Sequence, residues 1–269
     1  MLPITRYMIK DKLLSPWVKF LWSFDQPNGN VSNKLLPTDT IDILINLSGT
    51  MIYQTKTCRY LAPAVHINGL RNEHSMIHHT GNIKAYGISF YAYGLYPFIQ
   101  GKLSATKGRI ADLHTLSSPF AEKLNADAIH GSEHTAFQHI ENVLRTEIKA
   151  NEADHRNVKL IEEFLRADHC STIHEYCNSK NMNIKTLERI TKKYTGDTPK
   201  TLRRLRRFQT ASNQLVHQRQ LDLTSIAHNN YFSDQSHFIR DFVAFAGLSP
   251  RVFQIEKKSI KENAIYKII

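Results

Sequence analysis

The N-terminal half of the chain alternates short runs of β-branched and aromatic residues with turn-forming residues. Residues 41–47 partly alternate between apolar and polar positions and end at Ser48-Gly49, which predicts a strand leading into a turn. Further short strands are predicted over residues 51–53, 64–67, 75–77 and 85–90. Many short strands at close spacing are typical of a small sandwich or barrel.

From about residue 95 the apolar positions follow a helical period. One stripe at spacings of three and four predicts an amphipathic helix: Phe137, Ile140, Leu144 and Ile148. This stripe either packs within the protomer or forms a dimer face, and the sequence leaves both open. The polar stretch 151–155 then separates the β-rich half from a run of helices that continues to the end of the chain.

Residues 223–253 predict a short helix, a tight turn and a second helix. The second helix has an inner face of Phe238, Phe242 and Phe245. Its opposite face carries Ser236, His237 and Arg240. Ser233 stands where we expect the N-cap, and Gly247 is expected to end the helix. A helix with an aromatic inner stripe and a polar, cationic outer stripe suits the major groove of DNA.

The same pattern occurs earlier in the helical half. Residues 171–179 predict a short helix, Asn183 is expected to cap a second helix that runs to Tyr194, and Gly196 offers a left-handed stop. Thr198-Pro199 then begins a longer helix that joins the two units. Two units joined rigidly in this way would place two recognition helices in successive major grooves, about 34 Å apart.

The charge of the chain is concentrated in its helical half. The net charge is +11 over 269 residues, and residues 156–269 hold 20 Lys and Arg against 11 Asp and Glu. This asymmetry favours a polyanionic partner, because neutralised phosphates release counterions. A solvated basic surface would have the same composition, so charge alone does not decide between them.

The three cysteines are Cys58, Cys170 and Cys177, with no C-x-x-C spacing. An odd, scattered set predicts a reducing cytoplasm with inert thiols. A redox or alkyl-transfer role for Cys177 is less favoured than burial, because it falls on the apolar face of its helix. Residues 1–14 carry charges where a signal peptide needs an apolar run, and no segment has membrane-spanning length, so we expect a soluble cytoplasmic protein without membrane contact.

Residues 156–255 resemble the DNA-binding domain of AraC-type bacterial transcription regulators. The matching residues lie at fixed offsets in both units: Gly196, Thr198, Pro199, Arg207, Ala211, Ile226, Ala227, the stretch 232–238, Arg240, Phe242 and the stretch 247–250. The resemblance implies sequence-specific binding of double-stranded DNA, and it favours activation through contact with RNA polymerase over simple repression.

The resemblance also implies which residues contact DNA. The base-contacting positions are Lys185, Glu188 and Arg189 in the first unit and Gln235, Ser236, His237, Ile239 and Arg240 in the second. The expected phosphate contacts are Lys192, Arg203, Arg204 and Arg207. Arg and Lys can reach guanine and Gln can pair with adenine, each contact giving roughly 1–3 kcal/mol of discrimination.

Four positions depart from the family pattern. Thr191 occupies a core position where the family prefers Phe, and Lys180 replaces an apolar residue before the first turn. We therefore expect the first unit to be packed less well than the second. Tyr231 stands where a turn glycine is common, and Val243 replaces a frequent Lys, which removes one expected phosphate contact.

Residues 10–115 resemble, more loosely, the cupin-like domain of a subset of these regulators, which implies sensing or dimerisation. The matching stretches are 36–39, 41–47 and 87–90 with Gly94. Tyr86, Phe90, Tyr91 and Tyr93 are candidates for an effector pocket, although such aromatic residues pack in cores more often. His66, His74, His78 and His79 lack the H-x-H spacing that two ligands on one strand face require, so we expect no metal site.

These observations predict an α+β protein. A β-rich, cupin-like sensing or dimerisation domain spans residues 1–155, and an all-α domain with two helix-turn-helix units spans residues 156–269. We expect a sequence-specific transcription regulator without catalytic residues or cofactor, with an unidentified effector and a homodimer as further partners. The alternative is a small-molecule-binding or metal-dependent cupin enzyme fused to a DNA-localising domain.

Overall fold

The computed structural model describes residues 4–27, 29–99, 103–167, 172–217 and 222–259. Within this part of the chain, eight strands form one antiparallel sheet. The strands are β1 (Ile4–Tyr7), β2 (Val18–Gln26), β3 (Val31–Leu35), β4 (Thr40–Gln54), β5 (Arg59–Leu61), β6 (Val65–Asn68), β7 (Ser75–Tyr91) and β8 (Ile110–Asp112).

The sheet is built around the two long strands β4 and β7, which pair with each other along most of their length. Strand order is β1-β2-β7-β4-β6-β8, with β3 on the first half of β7 and β5 on the last part of β4. One long strand pair therefore carries different neighbours on its two halves. Phe20, Trp22, Met51 and Tyr53 belong to a buried apolar cluster contributed by these strands.

The prediction of many separate short strands was wrong for β4 and β7. Ser48-Gly49 is not a turn, because β4 continues through it with register shifts on both sides of Ser48. Gly49 adopts a left-handed φ of 78°, and a Cβ there would come within 2.4 Å of the Asn82 carbonyl oxygen. A left-handed glycine in such a bulge bends a strand without ending it. Apolar runs on either side of a bulge therefore belong to one strand.

Helices follow the sheet along the chain. They are α1 (Tyr96–Ile99), α2 (Leu113–Leu116), α3 (Ser118–Lys123), α4 (Glu133–Glu147), α5 (Glu152–Arg166), α6 (Ile173–Ser179), α7 (Ile184–Thr195), α8 (Pro199–His217), α9 (Leu223–Asn229), α10 (Gln235–Ala246) and α11 (Pro250–Ser259). The predicted stripe lies on α4, where Phe137 stacks on Tyr7 at 5.3 Å between ring centres and meets Tyr86 edge-on. Because Phe137, Ile140 and Leu144 are buried, the stripe packs within the protomer.

The predicted α+β class, a β-rich region followed by helices, is confirmed. The two regions share one large apolar core, which includes residues of the sheet and of α5, α7, α8 and α10. Tyr96 and Tyr194 meet across it with ring centres 4.4 Å apart. In the residues that the structure describes, no helix combines the length and apolar character needed to cross a membrane.

Candidate nucleic-acid interface

The turns between α6 and α7 and between α9 and α10 have the same hydrogen bonds. The Met182 N–H donates to the Cys177 carbonyl at 2.9 Å, and the Phe232 N–H donates to the Ala227 carbonyl at 3.0 Å. A hydrogen bond from an N–H to the carbonyl five residues earlier ends a helix at a residue in the left-handed conformation, and it satisfies one of the last helical carbonyls. The sequence pattern that occurs twice therefore folds twice into the same helix-turn-helix unit.

The inner face of α10 is aromatic, as predicted. Phe238, Phe242 and Phe245 are all buried. Phe208 of α8 packs against two of them, with ring centres 5.1 Å from Phe242 and 4.9 Å from Phe245. Offset and tilted aromatic pairs at these separations add about 0.5–1.5 kcal/mol each beyond their buried area. This contact fixes the second recognition helix to the helix that joins the units.

The outer face of α10 carries the five residues predicted to contact bases. Gln235, Ser236 and Arg240 are exposed, whereas His237 and Ile239 are half-buried. The Gln235 side-chain oxygen accepts a hydrogen bond from the Thr224 hydroxyl at 3.1 Å. The five residues therefore share the exposed side and first turns of one helix, as a groove-reading surface requires.

The cap of α10 differs from the prediction, because Asp234 rather than Ser233 is the N-cap. The Asp234 carboxylate accepts from the His237 N–H at 2.7 Å. This bond, followed by one from the Ser233 hydroxyl, lowers the pKa of Asp234. The Ser233 hydroxyl also lies 3.0 Å from Nδ1 of His237. The observed N-cap is one residue later than predicted because the carboxylate of Asp234 is the group that reaches the third helical N–H.

The first recognition helix, α7, begins as predicted, with the Asn183 side chain accepting from the Lys185 N–H at 2.8 Å. Its base-contact candidates Lys185, Glu188 and Arg189 are all exposed. Lys192, a predicted phosphate contact, is exposed one turn further along. The helix ends at Gly196, which has the predicted left-handed φ of 74°.

Thr191 lies in the core of the first unit, at a position where the family pattern has Phe. It is fully buried, and its hydroxyl has no hydrogen-bond partner among the described residues. An unsatisfied buried hydroxyl costs roughly 1–3 kcal/mol. Lys180, the other departure in this unit, forms a surface ion pair with Glu163 at 2.8 Å.

Arg204 of α8, predicted to contact phosphate, has a partner inside the protein. It donates to the two carboxylate oxygens of Asp241, from Nη2 at 2.8 Å and from Nε at 3.2 Å. Its guanidinium carbon lies 5.2 Å from the ring centre of Phe245. Asp241 stands on the buried side of α10 and is only 8% exposed. Arg204 therefore joins α8 to α10.

The neighbouring arginines of α8 also lie against aromatic rings. Arg203 is 4.7 Å from the ring centre of Phe164, and Arg207 is 4.9 Å from that of Phe232. Arg207 also donates from Nη1 to the Tyr231 carbonyl at 2.9 Å. Burial lowers the pKa of Arg207. Three of the four predicted phosphate contacts are thus half-buried, and each has an aromatic or hydrogen-bonding partner within the helical domain.

The C-terminal end of α7 lies against the β-rich region. Tyr96 packs on Tyr194, and the Lys107 ammonium lies 3.0 Å from the buried carboxylate of Asp197. At Gly196 a Cβ would come within 2.9 Å of the Leu103 carbonyl oxygen. The left-handed glycine is therefore required both by its conformation and by the close approach of the neighbouring backbone.

The C-terminal end of α10 lies against the β-rich region as well. Lys34 of β3 donates from Nζ to the Ala246 carbonyl at 3.3 Å, and burial lowers the pKa of this lysine. Gly247 adopts φ of 72°, and a Cβ there would overlap the His74 ring. The β-rich region therefore contacts both recognition helices at their C-terminal ends, whereas their outer faces are left exposed.

A family model described as a helix-turn-helix domain matches residues 176–255, which cover the last four residues of α6, all of α7 to α10 and the first six residues of α11. This part of the chain is an AraC-type helix-turn-helix domain. The resemblance inferred from the sequence is confirmed. The AraC-type domain supports assignment of the chain to the DNA-binding transcription regulators.

A second family model, described as a domain of unknown function (DUF6597), matches residues 10–112. No curated protein matches the chain. Among solved structures the chain is similar to ToxT from Vibrio cholerae O395, at 13% identity and a TM-score of 0.45, with 97% of this chain and 98% of that chain covered. It is also similar to the AraC-like transcriptional activator CuxR, at 14% identity and a TM-score of 0.25, with 72% and 74% covered.

The four aromatic residues considered for an effector pocket lie in two environments. Tyr86 and Phe90 are buried in the main core. Tyr91 and Tyr93 stack at 5.6 Å between ring centres and line an open groove of about 270 Å³ with Glu162 of α5. The two pairs therefore do not form one cavity.

The histidines of the β-rich region have separate partners. His66 donates from Nδ1 to the Pro63 carbonyl, 2.7 Å away, and its Nε2 lies 3.1 Å from the Tyr53 hydroxyl. His78 contacts Ser32 and Gln54 instead. Within the described ranges, no three His, Cys, Asp or Glu side chains are grouped so that they could hold a metal ion.

The predicted burial of Cys177 is confirmed, and burial raises the pKa of its thiol. Cys58 is exposed, and Cys170 lies outside the described residues.

Proposed function

We propose that the chain is a sequence-specific transcription activator that inserts α7 and α10 into successive major grooves on one face of DNA. The observation that carries the proposal is the repeated unit: two recognition helices with exposed polar outer faces, joined by one continuous helix. With 19 residues, α8 is about 28 Å long. This length is of the same order as the roughly 34 Å between successive major grooves.

The proposed base contacts are the residues of the two outer faces, Lys185, Glu188 and Arg189 on α7 and Gln235, Ser236, His237, Ile239 and Arg240 on α10. Lys192 is the phosphate contact that we retain. For Arg203, Arg204 and Arg207, the partners within the protein favour a bracing role over a phosphate contact. These arginines would hold the recognition helices in position and act on DNA affinity indirectly.

Selection of duplexes from a random library by the full chain tests this proposal. We expect two conserved sequence blocks whose centres are about one helical turn, 10 base pairs, apart. Arg189→Ala should erase the preference in one block and Arg240→Ala the preference in the other. Enrichment of no duplex would reject DNA binding, and a single block would reject the use of both helices. Transcription from the selected site with purified RNA polymerase tests the activator role.

For regulation we propose a small effector bound inside the β-rich domain. A cavity of about 80 Å³ lies between the strands and is lined by Trp22, Phe24, Leu35, Met51 and Ile77, with Asn33, Asn68 and His79 as polar groups. The side-chain oxygens of Asn33 and Asn68 are buried without a hydrogen-bond partner among the described residues. A small, largely apolar molecule with a hydrogen-bond donor fits these properties.

Thermal-shift measurements with short alcohols, amides and phenol test the effector site. Ala85 also lines the cavity, so Ala85→Leu should fill it and abolish any shift. A shift that persists in this variant would place the ligand elsewhere.

Stoichiometric iron or zinc in the purified protein would favour the metal-dependent enzyme alternative. We also propose that the protein acts in the cytoplasm; size measurements in solution would identify a homodimer.

A further inference from the structure

Tyr231 has a backbone conformation that its side chain disfavours. Its φ is 57°, in the left-handed region, at the residue that closes α9. The matching residue of the first unit is Asn181, with φ of 49°; in the described chain these are the two non-glycine residues with positive φ. Glycine and asparagine are the usual residues at such a helix end, and a bulky side chain there is an outlier.

The rest of the protein holds the turn without using the phenol ring. Arg207 donates to the Tyr231 carbonyl, and its guanidinium lies over the Phe232 ring. Phe232 is buried, whereas Tyr231 is 50% exposed. The Tyr231 hydroxyl has no hydrogen-bond partner among the residues that the structure describes. The strained backbone is thus supported, but the exposed side chain makes no polar contact that would explain its presence.

The turn leads directly into the first residues of α10. Ser233, Asp234, Gln235 and Ser236 are all exposed and follow Tyr231 within five positions. In helix-turn-helix domains this end of the recognition helix lies nearest the bases, beside the DNA backbone. Tyrosine is among the side chains that donate to phosphate oxygens and thereby set the register of a protein on DNA. Local strain is retained mostly where a function requires it.

We infer that Tyr231 is a positioning residue for DNA, whose phenolic hydroxyl donates a hydrogen bond to a backbone phosphate beside the second recognition helix. The inference rests on the proposed function. Because the phenol is neutral, the contact releases no additional counterion. It is therefore distinguishable from a lysine or arginine contact, whose loss flattens the dependence of affinity on salt.

Tyr231→Phe and Tyr231→Asn test the inference in the full chain. The probes are a duplex selected by the wild-type protein and a random-sequence duplex of equal length, each titrated over a range of salt concentrations. Loss of one hydrogen bond should weaken binding of both duplexes by roughly 3- to 10-fold in either variant. The slope against salt should be unchanged. Tyr60→Phe, in β5, is the matched control and should bind as the wild type does.

Stability gives a second readout. Tyr231→Asn introduces the residue that the first unit has at this turn, so its melting temperature should equal or exceed that of the wild type while its DNA affinity falls. Binding by Tyr231→Phe equal to or tighter than wild type would overturn the inference, as would a loss confined to the selected duplex, which indicates a base contact. If the wild-type protein enriches no duplex, the proposed function fails instead.

Discussion

The contact between Arg204 and Asp241 should contribute to folding rather than to DNA affinity. Surface ion pairs contribute about 0–1 kcal/mol, whereas removal of one partner from a fully buried pair costs about 3–5 kcal/mol. Here the Arg204 side chain is 34% exposed and that of Asp241 is 12% exposed, with two hydrogen bonds between them. We therefore assign about 2 kcal/mol to the pair, an intermediate value that allows for solvent screening.

Arg204→Met should lower the free energy of unfolding by about 2–3 kcal/mol, since it also removes the contact with the Phe245 ring, which contributes about 0.5–1 kcal/mol. The assay is urea denaturation of the full chain, followed by circular dichroism. A double-mutant cycle with Asp241→Asn should give a coupling energy of about 1.5–2 kcal/mol. Arg206→Met is the control, because the ion pair of Arg206 with Asp39 is more exposed and should contribute less than about 1 kcal/mol.

The opposite pattern would refute this reasoning. If Arg204→Met unfolds like the wild type but reduces the slope of log affinity against log salt by about one, then Arg204 contacts phosphate. The arginine would in that case leave Asp241 when DNA binds. Measurement of unfolding and of the salt slope on the same variant separates the two roles.

Three further predictions concern the core, pH and DNA. Thr191→Val removes the unsatisfied hydroxyl and should raise the free energy of unfolding, measured by urea denaturation, by about 1 kcal/mol. A lower free energy of unfolding in this variant would show that the hydroxyl has a hydrogen-bond partner. Burial lowers the pKa of His66 and of His79 from 6.5 to about 4, so the unfolded chain takes up protons first as pH falls. The free energy of unfolding should therefore decrease as the pH falls from 6.5 towards 4, and at pH 5.5 each histidine accounts for a decrease of about 1.4 kcal/mol. In urea denaturation, His66→Gln should halve this decrease. In DNA titrations, Arg240→Ala should weaken the specific duplex far more than a random one, whereas Lys192→Ala should weaken both alike; equal losses for Arg240→Ala would move it to the phosphate class.

The helix-turn-helix units could be predicted because their determinants are local. Aromatic residues at spacings of three and four define the inner face of α10, and Gly196 and Gly247 end the two recognition helices where the pattern indicates. The N-cap of α10 was misplaced by one residue because Ser233 and Asp234 are both good caps. Local patterns do not decide between adjacent residues of similar capping preference.

The parts that the sequence did not predict depend on distant residues. β2 was missed because both of its faces are covered: residues 20–24 are all buried, including the polar Ser23, so the strict alternation that marks a half-buried strand is lacking. The contact of Arg204 with Asp241 could not be predicted because Asp241 lies 37 positions away along the chain. A run of arginines on a helix looks the same whether its partners are phosphates or a carboxylate and aromatic rings of the same protein.

In the proposed mode of binding, the contacts of both recognition helices with the β-rich region limit which DNA sites the protein can read. Lys34 of β3 contacts the last residue of α10, and Lys107 pairs with Asp197, just beyond the end of α7. Each base pair inserted between the two half-sites would move the second by about 3.4 Å along the duplex and rotate it by about 35°. Neither helix can follow such a displacement while these contacts persist, so the protein should tolerate changes of base within a site better than changes in the length of its spacer.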